Sequence, residues 1–417
     1  MSRRSLDDWL AYISAQHPAV IALGLDRVQE VWRRMGLAAP AVTITVGGTN
    51  GKGSTCAMLE AILQEAGYRI GLYTSPHLLR YNERVRVAGA PLGDDPVVEG
   101  FEAVEAARAA TPLTYFEFAT LAALAAFATA RVEAAILEVG LGGRLDAVNI
   151  IDADCAIVAS VDLDHQAYLG NDRESIGFEK AGIFRAGRPA IFGDVDPPDS
   201  LVNHAVAIGA RLQVLGRDFR FEAQERQWDF LGLHRARRAL PIPALRGRWQ
   251  LKNASSALAA LDELFDRLPV SAGEVKRGLV GVSLRGRLQS LPGRPAVVLD
   301  VAHNPQAARS LASGLGDMGF FENTFAVFGI LADKDVAGVV DAVAHRIDRW
   351  LVAAPASERA ASAAEVTRVL ESRGASSRSF ATIAAALDEA RREAGPNDRI
   401  VVFGSFYTVA DALRSAG

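Results

Sequence analysis

Residues 46–55 are Val46-Gly-Gly-Thr-Asn-Gly-Lys-Gly-Ser-Thr55, a glycine-rich turn that decides the fold. A β-branched segment, residues 41–46, precedes the turn, and a helix-forming segment, residues 54–66, follows it. Glycines let the backbone bend and direct its N–H groups at a phosphate, and the helix N-terminus adds its dipole. The pattern predicts a nucleotide-binding loop. The alternative is a glycine-rich turn with a surface lysine.

The spacing within the turn differs from that of the common P-loop, because Gly53 directly follows Lys52 and Val46 holds an earlier glycine position. Lys52 is expected to reach the β- and γ-phosphates of a nucleotide and to stabilise charge during its transfer, which makes it a catalytic candidate. Ser54 or Thr55 offers a hydroxyl to Mg²⁺. The predicted ATP-binding residues of this loop are Asn50, Gly51, Lys52, Gly53 and Ser54.

Strand and helix signals alternate along the 417 residues and predict an α/β fold with two domains. Residues 1–288 are expected to form a P-loop-type domain with a mostly parallel sheet and a few antiparallel strands between about 212 and 243. Residues 289–417 are expected to form a smaller, Rossmann-like α/β domain. The predicted strands cover residues 69–74, 134–139, 155–161, 296–301, 325–331, 350–354 and 399–404.

Composition excludes several classes of protein. The net charge of −4 provides no basic footprint for nucleic acid or anionic lipid. The two cysteines, Cys56 and Cys155, exclude a disulfide scaffold and a cysteine-rich zinc site. The N-terminus lacks the apolar region of a secretory signal, and the apolar residues 118–130 are too few to span a membrane. We therefore expect a cytoplasmic protein without nucleic-acid or membrane partners, and we also expect it to be a monomer.

Three polar residues lie where predicted parallel strands end, at the edge where open α/β sheets bind ligands. They are Ser75, Glu138 and His165. A buried carboxylate beside a phosphate loop needs a cationic partner, and Mg²⁺ bound to ATP supplies one. The alternatives are a turn hydroxyl for Ser75, a salt bridge with Arg144 for Glu138, and a loop histidine for His165.

Several motifs resemble those of the Mur ligase superfamily, in particular its folylpolyglutamate synthases. Besides the loop, these are Tyr73-Thr-Ser-Pro-His-Leu78, Glu138-Val-Gly-Leu-Gly-Gly-Arg-Leu-Asp146 and Leu163-Asp-His165. The resemblance implies that Ser54, Ser75, Glu138 and His165 bind magnesium, in two sites. It also implies that Lys180, in Phe178-Glu-Lys-Ala-Gly-Ile183, is a carbamylated metal ligand with a catalytic role. The alternative for Lys180 is an exposed lysine at a helix start.

The resemblance extends to the C-terminal part of the chain. Asn253 matches an ATP-binding asparagine of the family, Arg287 keeps the arginine of a Pro-Gly-Arg motif, and Asp300-Val-Ala-His-Asn-Pro305 matches a stretch whose aspartate contacts the nucleotide. It implies that Asn253, Arg287 and Asp300 bind ATP and that His303, a catalytic candidate, lies near the incoming amino acid. The alternatives are a solvated linker arginine for Arg287 and a helix-cap histidine for His303.

A third group of residues resembles the acceptor pocket of the bifunctional bacterial enzymes of this family, which binds dihydropteroate. Ala22 departs from the family pattern, because related enzymes can carry an acidic residue at this position. For residues 114–117 the alternative is a helix start capped by Thr114. The implied substrate-binding residues are Ile21, Ala22, Leu23, Thr114, Tyr115, Phe116, Glu117, Gly143, Arg144 and Leu145.

The resemblance covers nearly the whole chain and implies an ATP-dependent ligase. Such an enzyme adds L-glutamate to dihydropteroate and to reduced folates through an acyl phosphate. No covalent enzyme intermediate is needed, which agrees with the lack of a reactive cysteine or serine triad. The alternatives are a monofunctional folylpolyglutamate synthase, another Mur-type ligase such as a peptidoglycan-type enzyme, and a P-loop NTPase switch with a protein partner.

Overall fold

The computed structural model describes residues 4–17 and 21–416. Its helices are α1 (Leu6–Ser14), α2 (Asp26–Met35), α3 (Lys52–Glu65), α4 (Asp94–Arg108), α5 (Tyr115–Ala130), α6 (Gln166–Leu169), α7 (Arg173–Ala181), α8 (Asp199–Ile208), α9 (Gln250–Glu263), α10 (Ala272–Gly281), α11 (Pro305–Asp317), α12 (Val336–Val343), α13 (Ala363–Glu371), α14 (Ile383–Glu393) and α15 (Phe406–Ala416).

Its strands are β1 (Val42–Gly47), β2 (Ile70–Tyr73), β3 (Val85–Val87), β4 (Ala90–Pro91), β5 (Ala134–Glu138), β6 (Cys155–Val158), β7 (Pro189–Phe192), β8 (Arg211–Val214), β9 (Arg220–Ala223), β10 (Gln227–Leu231), β11 (Ala236–Pro241), β12 (Gln289–Leu291), β13 (Ala296–Leu299), β14 (Thr324–Phe328), β15 (Arg349–Val352), β16 (Ser377–Ser379) and β17 (Arg399–Phe403).

The chain forms two compact units. One comprises the chain up to Ala244 together with Leu251–Val282, and the other comprises Leu245–Gln250 together with the chain from Ser283 onward. The main change of unit, at residues 282/283, lies a few residues before the predicted domain boundary at 288/289. Within the described residues, no helix is both long and apolar enough to cross a bilayer.

The first unit is built on an eight-stranded sheet in the order β4-β3-β2-β5-β1-β6-β7-β8. The pairs from β2 to β8 are parallel, and β3 and β4 are antiparallel additions at one edge. This confirms the predicted mostly parallel sheet. The antiparallel region is smaller than expected, because β8 joins the parallel sheet and only β9, β10 and β11 form a separate sheet.

Burial explains why the central strands consist mainly of apolar and β-branched residues. All six residues of β1 and all five of β5 are buried, which is typical of parallel strands covered on both faces. The apolar residues 118–130 belong to α5, and the Phe118 ring packs 5.8 Å from Phe101 of α4 and 6.3 Å from Trp9 of α1. Helix α1 therefore completes the core on one face.

The second unit has a six-stranded sheet in the order β12-β13-β17-β14-β15-β16. All pairs except β12–β13 are parallel, as predicted for a Rossmann-like α/β domain. Three aromatic rings mark its core: Phe328 lies 4.8 Å from Phe403 and 5.5 Å from Trp350. The carboxyl ends of β13 and β17 are neighbours, so residues that follow these strands come close together.

Candidate functional site

The glycine-rich loop joins the carboxyl end of β1 to the first turn of α3. Gly48 and Gly51 have φ values of +135° and +90°, a region that residues with side chains rarely adopt. A Cβ on Gly48 would also stand 3.0 Å from the backbone nitrogens of Ala159 and Ser160. The loop therefore requires glycine at both positions, and α3 begins at Lys52 with its N-terminal N–H groups at the loop.

Hydrogen bonds fasten this loop to the segment that follows β6. Thr49 N–H donates to the carbonyl of Ser160 over 2.8 Å, and Asn50 N–H donates to Ser160 Oγ over 3.1 Å. The hydroxyl of Thr49 donates to the carbonyl of Asp162 over 2.9 Å. His165 follows Asp162 along this segment, so the predicted metal-binding histidine belongs to the stretch that holds the loop in place.

Lys52 folds back over the loop. Its Nζ donates to the carbonyls of Gly48 and Thr49 over 2.9 and 3.3 Å. Asn253 of α9 lies against the same loop, because a Cβ on Gly51 would stand 2.5 Å from Asn253 Oδ1. These contacts bring the predicted nucleotide residues Lys52 and Asn253 to one loop, although they are far apart in sequence.

Ser75 and Glu138 meet at the carboxyl edge of the sheet. Glu138, which is 5% exposed, is the last residue of β5 and lies in register opposite Val46 of β1. Its Oε2 accepts a hydrogen bond from Ser75 N–H over 3.1 Å. The proposed salt bridge between Glu138 and Arg144 is wrong, because Arg144 pairs with Glu179 over 2.8 Å.

His165 directly precedes α6 with φ +51° and ψ +39°, a left-handed conformation that is uncommon for residues other than glycine. Its Nε2 lies 4.0 Å from Asp164 Oδ1.

Among the described residues, no group of three His, Cys, Asp or Glu side chains is close enough to hold a metal ion. A metal at this edge would therefore use donors of other kinds as well. Thr55 Oγ1 is one polar atom near the loop that is buried without a protein partner in the described structure.

Lys180 lies near the end of α7 and is only 4% exposed, so the alternative of an exposed lysine at a helix start is wrong. Burial, helped by the charge of Lys52, lowers the pKa of Lys180 to about 7, while Asp164 and Asp146 oppose the shift. The charge of Lys52, in the phosphate loop, and that of Asp164, next to His165, both act on the pKa of Lys180. Lys180 therefore interacts electrostatically with both segments. A buried lysine with this pKa is partly a neutral amine near pH 7, and such an amine is a nucleophile.

The residues predicted to bind an acceptor come from three segments that the first unit brings together. Gly24 N–H donates to the carbonyl of Leu145 over 3.5 Å, which joins residues 21–25 to residues 143–145. The ring of Phe116, at the start of α5, packs on Gly140, where a Cβ would stand 2.6 Å from Phe116 Cζ. The Phe116 ring is 5.9 Å from that of Tyr73. This half-buried ring therefore lies beside the segment that follows Glu138.

The alternative of a helix cap at residues 114–117 is observed. Glu117 N–H donates to Thr114 Oγ1 over 3.3 Å, and Thr114 N–H donates to Glu117 Oε2 over 2.8 Å. Both side chains are buried. Thr114 and Glu117 therefore stabilise the start of α5, and Phe116 is the residue of this segment whose ring faces the neighbouring loop.

The second unit groups three predicted residues at the end of β13. Asp300 accepts hydrogen bonds from Leu288 N–H and Ala302 N–H over 2.7 and 2.8 Å, and burial raises the pKa of its carboxyl, opposed by the charge of Arg287. His303 Nδ1 lies 2.8 Å from the carbonyl of Val301.

The ring of Phe406 joins this group. The Arg287 guanidinium lies 5.2 Å from the centre of the Phe406 ring, and the His303 ring lies 6.3 Å from it. The half-buried Arg287 is thus not a solvated linker residue. The helix cap of α11 is Asn304 rather than His303. Phe406 was absent from the predicted site residues, although Gly404-Ser-Phe406 follows the last strand of the sheet.

Asp146 is another residue that the sequence did not single out. Its carboxylate accepts hydrogen bonds from Leu141 N–H over 2.7 Å and Val148 N–H over 3.1 Å. Burial raises its pKa to about 7, and these backbone hydrogen bonds, followed by the charge of Lys52, oppose that shift. The signal was its place at the end of the Glu138–Asp146 motif. Its charge also acts on Lys180, so it belongs to the electrostatic surroundings of the site.

Comparisons with known proteins agree with this geometry. Residues 46–261 match the Mur ligase middle domain, and residues 286–406 match the Mur ligase glutamate ligase domain. The dihydrofolate synthase/folylpolyglutamate synthase of Escherichia coli (strain K12) is 43% identical over 99% of this chain and 97% of the relative. That of Haemophilus influenzae is 37% identical over 97% and 96%.

The solved structures that are similar over nearly the whole chain include two with a bound nucleotide. Escherichia coli FolC in complex with DHPP and ADP has a TM-score of 0.94 and 43% identity, and covers 99% of this chain and 98% of that one. A bifunctional folylpolyglutamate synthase/dihydrofolate synthase with Mn, AMPPNP and L-glutamate bound has a TM-score of 0.92 and 43% identity, with the same coverage.

Proposed function

This chain belongs to the Mur ligase family, in the group of dihydrofolate synthases/folylpolyglutamate synthases, and we propose that it adds L-glutamate both to dihydropteroate and to reduced folates. It is an ATP-dependent acid–amino-acid ligase. One observation carries the proposal: a phosphate loop covered by Lys52 lies beside the buried Glu138, whose carboxylate is held by Ser75. That edge can bind the phosphates of ATP together with a divalent cation.

The reaction follows from the chemistry of its parts. An oxygen of the acceptor carboxylate attacks the γ-phosphorus of ATP, the bond to the β-phosphate oxygen breaks, and ADP leaves with an acyl phosphate formed. The amine of L-glutamate then attacks the acyl carbon, loses a proton, and expels inorganic phosphate. Lys52 and the loop N–H groups stabilise the charge of the transferred phosphoryl group. Asn253, Arg287 and Asp300 are proposed to hold the nucleotide, and His303 to lie near the incoming glutamate.

The candidate donors suit a hard cation, because serine hydroxyls and a carboxylate supply oxygen ligands. Ser75, Glu138 and His165 end or follow strands β2, β5 and β6, which belong to the same sheet as β1 and the phosphate loop. Relatives hold Mn with AMPPNP, and we propose Mg²⁺ in two sites for this chain. When bound, the ions supply charge neutralisation at the phosphates. Ser54, Ser75, Glu138, His165 and a carbamylated Lys180 would hold them. The monomeric state and cytoplasmic location stay predictions.

The proposal is tested with purified protein, ATP and Mg²⁺, by measuring ADP release and glutamylated product for dihydropteroate and for tetrahydrofolate in parallel. We expect ADP release to require both a pteroyl acceptor and L-glutamate, and to equal product formation. A P-loop NTPase switch would instead hydrolyse ATP slowly without either substrate. Ligation to tetrahydrofolate alone would identify a monofunctional folylpolyglutamate synthase.

Glu138→Gln is expected to raise the half-saturating Mg²⁺ concentration by about tenfold or more. The amide keeps an oxygen that can accept the Ser75 N–H but loses the charge that attracts a cation. The measurement is activity against Mg²⁺ concentration together with the melting temperature. Glu60→Gln is the matched control, since Glu60 is also buried but pairs with Arg86 over 3.0 Å. It should alter stability and leave the Mg²⁺ dependence unchanged. If Glu138→Gln behaves like this control, Glu138 is a structural carboxylate.

Phe116→Ala is expected to raise the KM for dihydropteroate by about tenfold and that for tetrahydrofolate by less, because the ring offers a stacking surface to a flat pterin. Both acceptors are assayed at saturating ATP and L-glutamate. Phe127→Ala is the matched control in the same helix, because Phe127 is fully buried. It should lower the melting temperature without changing either KM. Equal effects of Phe116→Ala on both acceptors, with a lower melting temperature, would assign its ring to the core.

A further inference from the structure

A single arginine of α2 connects two of the segments proposed to bind the acceptor. Arg27 Nη2 donates to the carbonyl of Ala22 over 2.9 Å and to Glu117 Oε1 over 2.9 Å. The Glu117 side chain is 4% exposed and that of Arg27 is 29% exposed. The ion pair is therefore mostly removed from water, where a charged hydrogen bond contributes more than it does on the surface.

The contacts of Glu117 extend this connection. Its two carboxylate oxygens bind different groups, because Oε2 accepts the N–H of Thr114 at the start of α5 and Oε1 binds Arg27. The other partner of Arg27, Ala22, belongs to residues 21–25, which form neither helix nor strand. Gly24 N–H of this segment donates to the carbonyl of Leu145 over 3.5 Å. Arg27 thus ties an irregular segment to the fixed first turn of a helix.

We infer that Arg27 is a positioning residue that holds residues 21–25 against the start of α5, so that the pocket for a pteroyl acceptor is formed before the acceptor binds. The inference rests on the proposed function, because it assigns the acceptor pocket to the three segments that meet here. Arg27 acts through the Ala22 carbonyl and Glu117. Neither of these partners belongs to the phosphate loop, so we expect nucleotide binding to be independent of Arg27.

If Arg27 preorganises the acceptor pocket, its loss should change the KM for the acceptor and little else. If the segment is loose in the free enzyme, the acceptor must order it on binding, and the cost is subtracted from acceptor affinity alone. Arg27→Ala should therefore raise the KM for dihydropteroate and for tetrahydrofolate by about tenfold. The KM values for ATP and L-glutamate, and kcat at saturating acceptor, should stay within about twofold of wild type.

The experiment compares wild type, Arg27→Ala, Arg27→Lys and Arg34→Ala in the coupled ligation assay, with the melting temperature of each. Arg34 is the matched control: it lies on the same helix, pairs with Glu30 over 3.0 Å, and donates to the carbonyl of Arg108 over 3.0 Å. Its loss weakens the docking of α2 without touching Ala22 or Glu117. Arg27→Lys keeps the charge but not the planar guanidinium, so an intermediate acceptor KM is expected.

An acceptor KM raised in Arg27→Ala and near wild type in Arg34→Ala supports the inference. An unchanged acceptor KM in folded Arg27→Ala overturns it, and so does an equal rise in Arg34→Ala, which would assign the effect to the docking of α2 in general. If Arg27→Ala does not fold, the same comparison is decided on Arg27→Lys. A wild-type chain that does not ligate glutamate to either acceptor would instead refute the proposed function itself.

Discussion

Lys52→Ala should abolish glutamate ligation to both acceptors while the chain remains folded. The contacts of Nζ are with two loop carbonyls, those of Gly48 and Thr49, and not with the apolar core. Its removal therefore costs little packing. Loss of one preorganised electrostatic group typically costs about 2.7–4 kcal/mol of transition-state stabilisation, or about 10²–10³ in kcat. Because both acceptors use the same phosphoryl transfer, both reactions should fall together.

The measurement is single-turnover formation of ADP and product, with circular dichroism and melting temperature as the test of folding. Lys276→Ala is the control, because Lys276 is exposed on α10 and outside the site. Lys52→Arg keeps the positive charge but presents a planar guanidinium, so it should recover only part of the activity. Turnover at the wild-type rate by a folded Lys52→Ala protein would refute the assignment of the phosphate loop.

The features of the site that could be predicted are those that depend on residues close together in sequence. Gly48 and Gly51 adopt backbone conformations that only glycine readily tolerates, so the glycines of the sequence directly indicate this loop. Strands β1 and β5 are fully buried and consist mainly of apolar and β-branched residues, which made them recognisable. Glu138, which ends β5, and Ser75, which follows the neighbouring parallel strand β2, then had to meet at one edge of the sheet.

The rest depends on contacts between distant segments, which spacing along the chain does not reveal. Lys180 resembles a surface lysine of an amphipathic helix. It is buried because α7 approaches the Gly140–Asp146 segment closely, where a Cβ on Gly143 would stand 2.8 Å from the carbonyl of Glu179. The same approach gives Arg144 its partner, Glu179, in place of Glu138. The hydrogen bond from Arg27 to Glu117 joins residues 90 positions apart, so the sequence could not predict it either.

Lys180→Ala is expected to lower ligation by about a hundredfold or more, because it removes a ligand proposed for the second metal ion. The wild-type activity should also depend on dissolved CO₂. The neutral amine of Lys180 attacks the carbon of CO₂, a C–N bond forms, and one proton leaves to give a carbamate. That reaction converts a cation into an anion with two oxygen donors, which suits a hard cation. The buried lysine, with its pKa lowered to about 7, has the neutral amine that this step needs.

The direction of the pH effect follows from that pKa. The amine binds a proton below about pH 7 and is mostly neutral above it, so activation by CO₂ should increase as the pH rises through about 7. In CO₂-free buffer, the unfolded chain keeps this proton up to about pH 10.4 while the folded chain loses it near 7, so the free energy of unfolding should rise with pH across that window. Lys180→Ala should lack this rise, which urea titrations at several pH values would measure without any assay of activity.

Chemical rescue separates a carbamate from a positively charged lysine. Formate or acetate can place a carboxylate in the space left by the side chain, so each should partly restore Lys180→Ala. Neither should restore Lys52→Ala, whose missing group is a cation that donates to loop carbonyls. A crystal of the wild-type chain grown with ATP, Mg²⁺ and bicarbonate should contain density for a carboxyl group on Lys180 Nζ. An unmodified amine in that crystal, together with activity that is indifferent to CO₂, would show that the buried lysine serves as an amine instead.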